Sequence, residues 1–213
     1  MTSMINELQQ QIKRGEILSG LVLDGENLQG CSLSGGIFEG GSFIGANLSN
    51  AILHETIFTE CKFDNAIFNG ANLEKTVFNE CSMESLSAGE ARTEECIFNQ
   101  CLLRSSNFAD GALLSTQFMN CMLNKSHFRR TSLEKSLFFE SLLDDVNFEH
   151  CCSLLTTFYN IDLRLTGMGG SQFERTVFFN CDQRGKHYAH QLFTGCQFTD
   201  CLLDKVVFNG SQL

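Results

Sequence analysis

The sequence predicts an all-β solenoid: a coil of four short sides, with parallel β-ladders between coils and a short helix capping the N-terminal end. Three observations carry this. First, every fifth residue from Leu18 to Leu213 is a centre position; 33 of these 40 positions are Leu or Phe, and they take 18 of the chain's 20 Phe. Second, residues 20 apart repeat more strictly than residues 15 apart. Phe38, Phe58, Phe78, Phe98, Phe118, Phe138, Phe158, Phe178 and Phe198 are all Phe. Third, the chain has no Pro and no Trp.

Residues 1–15 form the first predicted unit. Ile5, Leu8 and Ile12 fall at helical spacing in SMINELQQQIKR (3–14), with Ser3 as a candidate N-cap and Gly15 as a stop. One apolar stripe needs something to cover, and the open first turn of a solenoid needs a cap. A partner-binding helix is the alternative.

Residues 16–213 form the second unit. A period of five matches neither a helix nor a long strand. A small residue lies two before each centre: Ala46, Thr56, Cys61 and Ser106 are examples. On extended backbone those two residues point the same way, inward, and the rest point out. Each pentapeptide is then one side of a coil, with a turn at its corner. Gly20, Gly25, Gly30, Gly35, Gly40, Gly45 and Gly70 occupy that corner. The 20-residue repeat gives four sides per coil. About ten coils rising by ~4.8 Å make a rod of roughly 45–50 Å. Trp is too bulky for such a core, and Pro would remove ladder N–H donors.

The register weakens at four centres. These are Ala88 and Thr93 in 84–95, Ser153 in 150–155, and Gln183 in 182–191. RLTGMGGS (164–171) keeps Met168 at its centre but is Gly-rich. These segments read as irregular coils or outward bulges, either functional or simply tolerated.

Ten of the 11 Cys sit in the small inward slot; only Cys152 does not. That pattern reads as free, buried thiols rather than a disulfide framework. Cys61, Cys81, Cys101 and Cys121 align in one column, rejoined by Cys181 and Cys201. The set Cys181, His187, His190 and Cys196 resembles a zinc site in content, but its spacing fits no common motif and its Cys are assigned inward. No metal or cofactor is expected. Of the five His (54, 127, 150, 187 and 190), His127 and His187 share an outward column three rungs apart and His150 and His190 another two rungs apart on the coil model, so no such pair meets, and no phosphate-binding loop of the usual form is present. An enzyme is not expected. A net charge of −10 argues against direct nucleic-acid binding. No stretch reads as a signal peptide or membrane span, so the expected location is the cytoplasm.

The outer surface of the Phe side holds the candidate site. The slot before its centres includes Ile57, Val77 and Ile97, where strand propensity alone is a sufficient reason. The slot after its centres holds Met119, Phe139, Tyr159 and Phe179 on consecutive coils. These include the only two Phe outside the core register. Such a patch marks an interface, with a protein partner or with a second copy in a homodimer.

Repeats such as GANLS, NAIFN and GANLE match an A(D/N)LXX pattern, and the chain resembles the pentapeptide-repeat protein superfamily over residues 16–213. The resemblance implies a right-handed, quadrilateral parallel β-helix. It does not imply one function. The leading reading is a non-enzymatic interaction or scaffold protein. A second follows from family members that mimic DNA and bind type II topoisomerases, DNA gyrase and topoisomerase IV, giving quinolone resistance. Candidate acidic rows for that role are Glu60, Glu80, Glu140 and Asp200 on one corner, and Glu74, Glu94, Glu134 and Glu174 on another. Against it, those relatives typically end in a dimerisation helix, whereas this sequence ends in VVFNGSQL, within the repeat. A third reading is an adaptor of a bacterial secretion or effector system. An uncapped last coil at Leu213 would leave room for end-to-end stacking.

Overall fold

The computed structural model describes residues 2–212, with side chains from Met4 onward. Met1 and Leu213, the last predicted centre, lie outside the described residues. The chain is a helix followed by a parallel β-solenoid. On side one, ten three-residue strands from Ile17–Ser19 to Gln197–Thr199 stack in parallel, each paired with the residues 20 later. Nine full turns separate the first from the last. Parallel bridges at the same 20-residue offset run down the other three sides, as in Val22↔Ser42, Asn27↔Asn47 and Ser32↔Ile52. From Ala112 on, side four regularises into a five-stranded sheet.

Burial follows the five-residue rule. The small slot and the centre point inward, and the other three positions face out. On side one all nine Phe stack in a continuous column, with adjacent centroids 4.9–5.3 Å apart and planes within 18° of parallel. Neighbouring sides meet this column edge-on, as Phe108 meets Phe118 at 79°. Each buried ring contributes on the order of 1.5–3 kcal/mol, and the offset and edge-to-face geometries add to it.

The corners differ from the glycine expectation. Every corner residue from Gly15 to Gly210 except Leu165 has positive φ, and most are not Gly. Asn, Asp, Glu, Lys and even Leu155 (φ from 48 at Glu140 to 64 at Lys125, 55 at Leu155) take the left-handed conformation. The conformation costs each such residue about 1 kcal/mol or more, but the turn is closed by a backbone bond, as in Thr56 N–H to the Leu53 carbonyl at 3.0 Å.

The helix α1, Thr2–Lys13, begins two residues before the Met4 start that a Ser3 N-cap implies, so Ser3 lies inside it and is not its N-cap. Gly15, at φ 70, ends it as expected. Leu8 is buried in the core, and Met4, Ile5 and Ile12 pack against it. Gln9 donates to the Ser32 carbonyl at 3.1 Å. The helix thus covers the end of the first coil.

The weak centres are not bulges. Ala88, Thr93, Ser153 and Gln183 all stay in register and are buried. Ala88 is compensated by Leu86, which fills its small slot. Thr93 and Ser153 instead pair with slot hydroxyls, Thr116 at 2.7 Å and Thr176 at 3.0 Å. Gln183 accepts from the Tyr188 hydroxyl at 2.7 Å.

Candidate functional site

The side-one strands set the geometry of the candidate site. Each strand points its centre inward and the residues on either side of it outward. Pairing in strict register then brings Met119 beside Phe139, Phe139 beside Tyr159, and Tyr159 beside Phe179. The three rings form a second, external stack: Phe139 to Tyr159 at 4.9 Å and 12°, Tyr159 to Phe179 at 5.1 Å and 3°. The four side chains are half-buried, because each ring covers its neighbour's face. Ile57, 39% exposed, Val77 and Ile97 lie on the same side, farther toward the N-terminus. The stack is a ridge of apolar surface three coils long with a Met at one end.

The acidic rows are interrupted. Gln100 and Asn120 separate Glu80 from Glu140, and Asn160 and Asn180 separate Glu140 from Asp200. Asn160 donates to Glu140 at 3.3 Å, and Asn180 to Asn160 at 2.9 Å, an amide ladder rather than a carboxylate one. On side four, Leu114 and Leu154 alternate with Glu134 and Glu174 in the sheet register. Other outward acids are matched by Arg. Asp110 pairs with Arg130 at 2.6 Å, and Asp162 and Asp182 with Arg164 and Arg184 at 2.6 Å each. These Arg partners hold the three carboxyls below the usual carboxylate range.

The thiols are core groups with a further role. All 11 Cys are free. Cys61, Cys81, Cys101, Cys121, Cys181 and Cys201 each donate to a carbonyl 23 residues earlier, as Cys101 does to Phe78 at 3.4 Å. Thr56, Thr76, Ser106 and Ser126 do the same on other sides. The small slot therefore selects for a donor as well as for size, because it bridges coil to coil. Burial pushes the thiols of Cys31 to about 11 and of Cys151 and Cys181 to about 12, away from thiolate chemistry. Cys196 is half-buried and His187 and His190 face solvent, so the four zinc-like residues do not converge. Among the described residues, no three His, Cys, Asp or Glu come together as a metal site.

One buried polar cluster was not anticipated. Lys186 occupies a small slot and is buried, with its ammonium donating to the Thr166 carbonyl and lying 3.1 Å from Thr166 Oγ1. Tyr188 and Gln191 are buried nearby, and Gln191 donates to the Met168 carbonyl at 2.8 Å. Desolvation pulls Lys186 down to about 8 and pushes Tyr188 above its ordinary value. The signal in the sequence was a Lys where the register demands a small residue.

A surface depression of about 490 Å³ is lined by Asn50, Asn69, Glu90 and Asp110 among others. No helix among the described residues is long and apolar enough to cross a membrane.

Comparison with known proteins returns to the repeat. Residues 31–108 match the model of the pentapeptide repeat region. No curated protein matches the sequence. Among solved structures, the chain is similar to HetL, a pentapeptide repeat protein involved in heterocyst differentiation regulation from the cyanobacterium Nostoc sp. strain PCC 7120 (17% identity, TM-score 0.49, 97% of this chain and 95% of that one). It is also similar to QnrB1, a plasmid-mediated fluoroquinolone resistance protein (17%, 0.45, 93% and 92%). A third is a pentapeptide repeat protein of the Arabidopsis thaliana thylakoid lumen (18%, 0.32, 53% and 71%). The matched stretch, residues 31–108, is a pentapeptide repeat region, and the fold carries the same five-residue register on to residue 212.

Proposed function

We propose that this protein is a non-enzymatic interaction scaffold, a β-solenoid that presents the Met119–Phe139–Tyr159–Phe179 ridge to a second copy of itself or to a protein partner. The observation that carries the reading is the external aromatic stack. Its residues stand in slots that are polar elsewhere on the same side, as at Glu39, Thr59, Asn79, Asn99 and Thr199. Strand pairing needs no aromatic there, so its placement calls for a reason outside the repeat. A linear ridge on a flat β-side suits an isologous contact, in which two copies lay the same strip against each other.

The double variant Phe139→Lys/Tyr159→Lys tests this. Its mass by light scattering and its capture of partners in pull-downs should both fall relative to the wild type, with circular dichroism unchanged. If mass and captured partners stay the same, the ridge is not the interaction surface. A topoisomerase-directed role rests on continuous acidic rows, and the rows here are broken by amides and Leu. Inhibition or protection of gyrase supercoiling at micromolar protein would move the function to that surface instead.

A further inference from the structure

On side two of the solenoid, each coil from 21–25 to 121–125 is tied to the next by three backbone bonds. The pair 121–125 and 141–145 is typical: Leu142 N–H to Cys121, Leu123 N–H to Leu142, and Lys125 N–H to Asp144, each at 2.9 Å. Between 141–145 and 161–165 the counterparts are missing. Among the described residues, the amides of Leu143, Asp145 and Asp162 make no backbone bond, and the bridge Leu142↔Asp162 is absent from a ladder otherwise continuous from Val22 to Leu202. A cleft of about 400 Å³ opens there, lined by Glu140, Leu142, Asp144, Asn160 and Asp162 among others.

A second gap follows on side three, one coil later. The bridge Gly167↔His187 is absent, while Asn147↔Gly167 and His187↔Val207 are present. Between the two gaps stands Leu165, the only corner from residue 15 to residue 210 without positive φ, 62% exposed. Segment 161–170 therefore pairs downward on side two and upward on side three, but not the reverse.

The small slots explain both gaps. After Leu21 in the first coil, that column on side two reads Gly41, Cys61, Cys81, Cys101, Cys121, Ser141, Ile161, Cys181, Cys201. Ile161 is buried, has no donor, and stands beside a full-sized centre, Leu163, so nothing absorbs its bulk. Leu86 shows the contrast, because its neighbouring centre is Ala88 and the ladder there is intact. On side three, the Lys186 ammonium takes the Thr166 carbonyl that the ladder would give to the His187 amide. Side one stays paired throughout, with Phe138, Phe158 and Phe178 stacked inside and Phe139, Tyr159 and Phe179 stacked outside.

We propose that the solenoid is jointed at residues 161–170, dividing into two blocks that unfold separately and open on sides two and three about sides four and one, whose strands stay paired. In a solenoid, stability passes only between neighbouring coils, and two successive interfaces here each lose one of their four sides, which weakens the coupling across this segment. The proposal does not depend on what binds the aromatic ridge.

Residue-resolved amide exchange on the full chain tests it. Val177 and Asp182 lie beyond the joint, and Val77 and Ser82 are their counterparts before it; all four amides are hydrogen-bonded at 2.9–3.0 Å. The first pair should have protection factors at least ~100-fold lower than the second. The double variant Ile161→Cys/Lys186→Ser gives both slots the small donors found elsewhere in their columns, and should shrink that ratio at least ~10-fold. Equal protection on the two sides in the wild type overturns the proposal. So does a ratio unchanged in the variant, which would mean that the last coils simply fray from their end. If the variant does not fold, the amides of Leu143, Asp145 and Asp162 decide: exchange as slow as at Leu123, Lys125 and Leu142 overturns the joint.

Discussion

At the scale of single residues, the small slot does more than save space. Thr76 Oγ1 donates to the Leu53 carbonyl at 2.7 Å from a fully buried position. Thr76→Val keeps the shape and removes the bond. Because Leu53 still accepts from the Thr56 amide, the loss should be about 1 kcal/mol, read as a shift of the urea midpoint. Lys186 is the opposite case, a charge in a slot built for a methyl or hydroxyl. Its folded value near 8 lies below its ordinary 10.5. Below pH 8 it is charged in both states, and burial of the charge destabilises the fold in full. Between 8 and 10.5 the unfolded chain holds the proton that the folded chain has released, so stability rises with pH. Lys186→Met should therefore be more stable than wild type at pH 7, with the advantage shrinking by about 2–3 kcal/mol by pH 10.5. Ionisation of unfolded Cys and Tyr pulls stability the other way above pH 9, but equally in both proteins. Denaturant titrations of the pair at the two pH values measure the difference.

At the scale of elements, helix α1 acts through Leu8, its one fully inserted side chain. Leu8→Ala should cost about 2–4 kcal/mol and raise amide exchange in the first coil before the rest, as expected of a cap on a one-dimensional array. Sides and helix were legible in the sequence because their determinants are local and repeat: inward Leu and Phe, small slots, the apolar stripe of Ile5, Leu8 and Ile12. The corners were legible in place but not in chemistry. Gly20 to Gly45 marked the corners as places where Gly eases a tight turn, and Glu55, Lys75 and Leu155 adopt the same left-handed φ because the turn bond and the ladder above and below hold them there. The weak centres misled for a related reason. Thr93, Ser153 and Gln183 look like defects one at a time, and become core residues only when Thr116 and Thr176 on the next coil, and Tyr188 on the adjacent side, meet them. Ile161 escaped notice because its bulk matters only against the coil above.

At the scale of the whole molecule, two aromatic columns run along one side, one inside and one outside. The inner one is fixed by the repeat and needs no function. The outer one was legible as Met119, Phe139, Tyr159 and Phe179 in one outward column, and the structure adds that the three rings stack face to face. Its half-buried rings gain cohesion from one another, yet leave a ridge of apolar surface on a chain of net charge −10. A surface that is acidic overall and apolar along one strip favours contact through the strip. Light scattering on the wild type and on Phe139→Lys/Tyr159→Lys, at matched concentrations, tests this most directly. A wild-type mass near twice 23.8 kDa that drops to 23.8 kDa in the variant is the expected result. The same mass for both proteins would contradict self-association through the ridge.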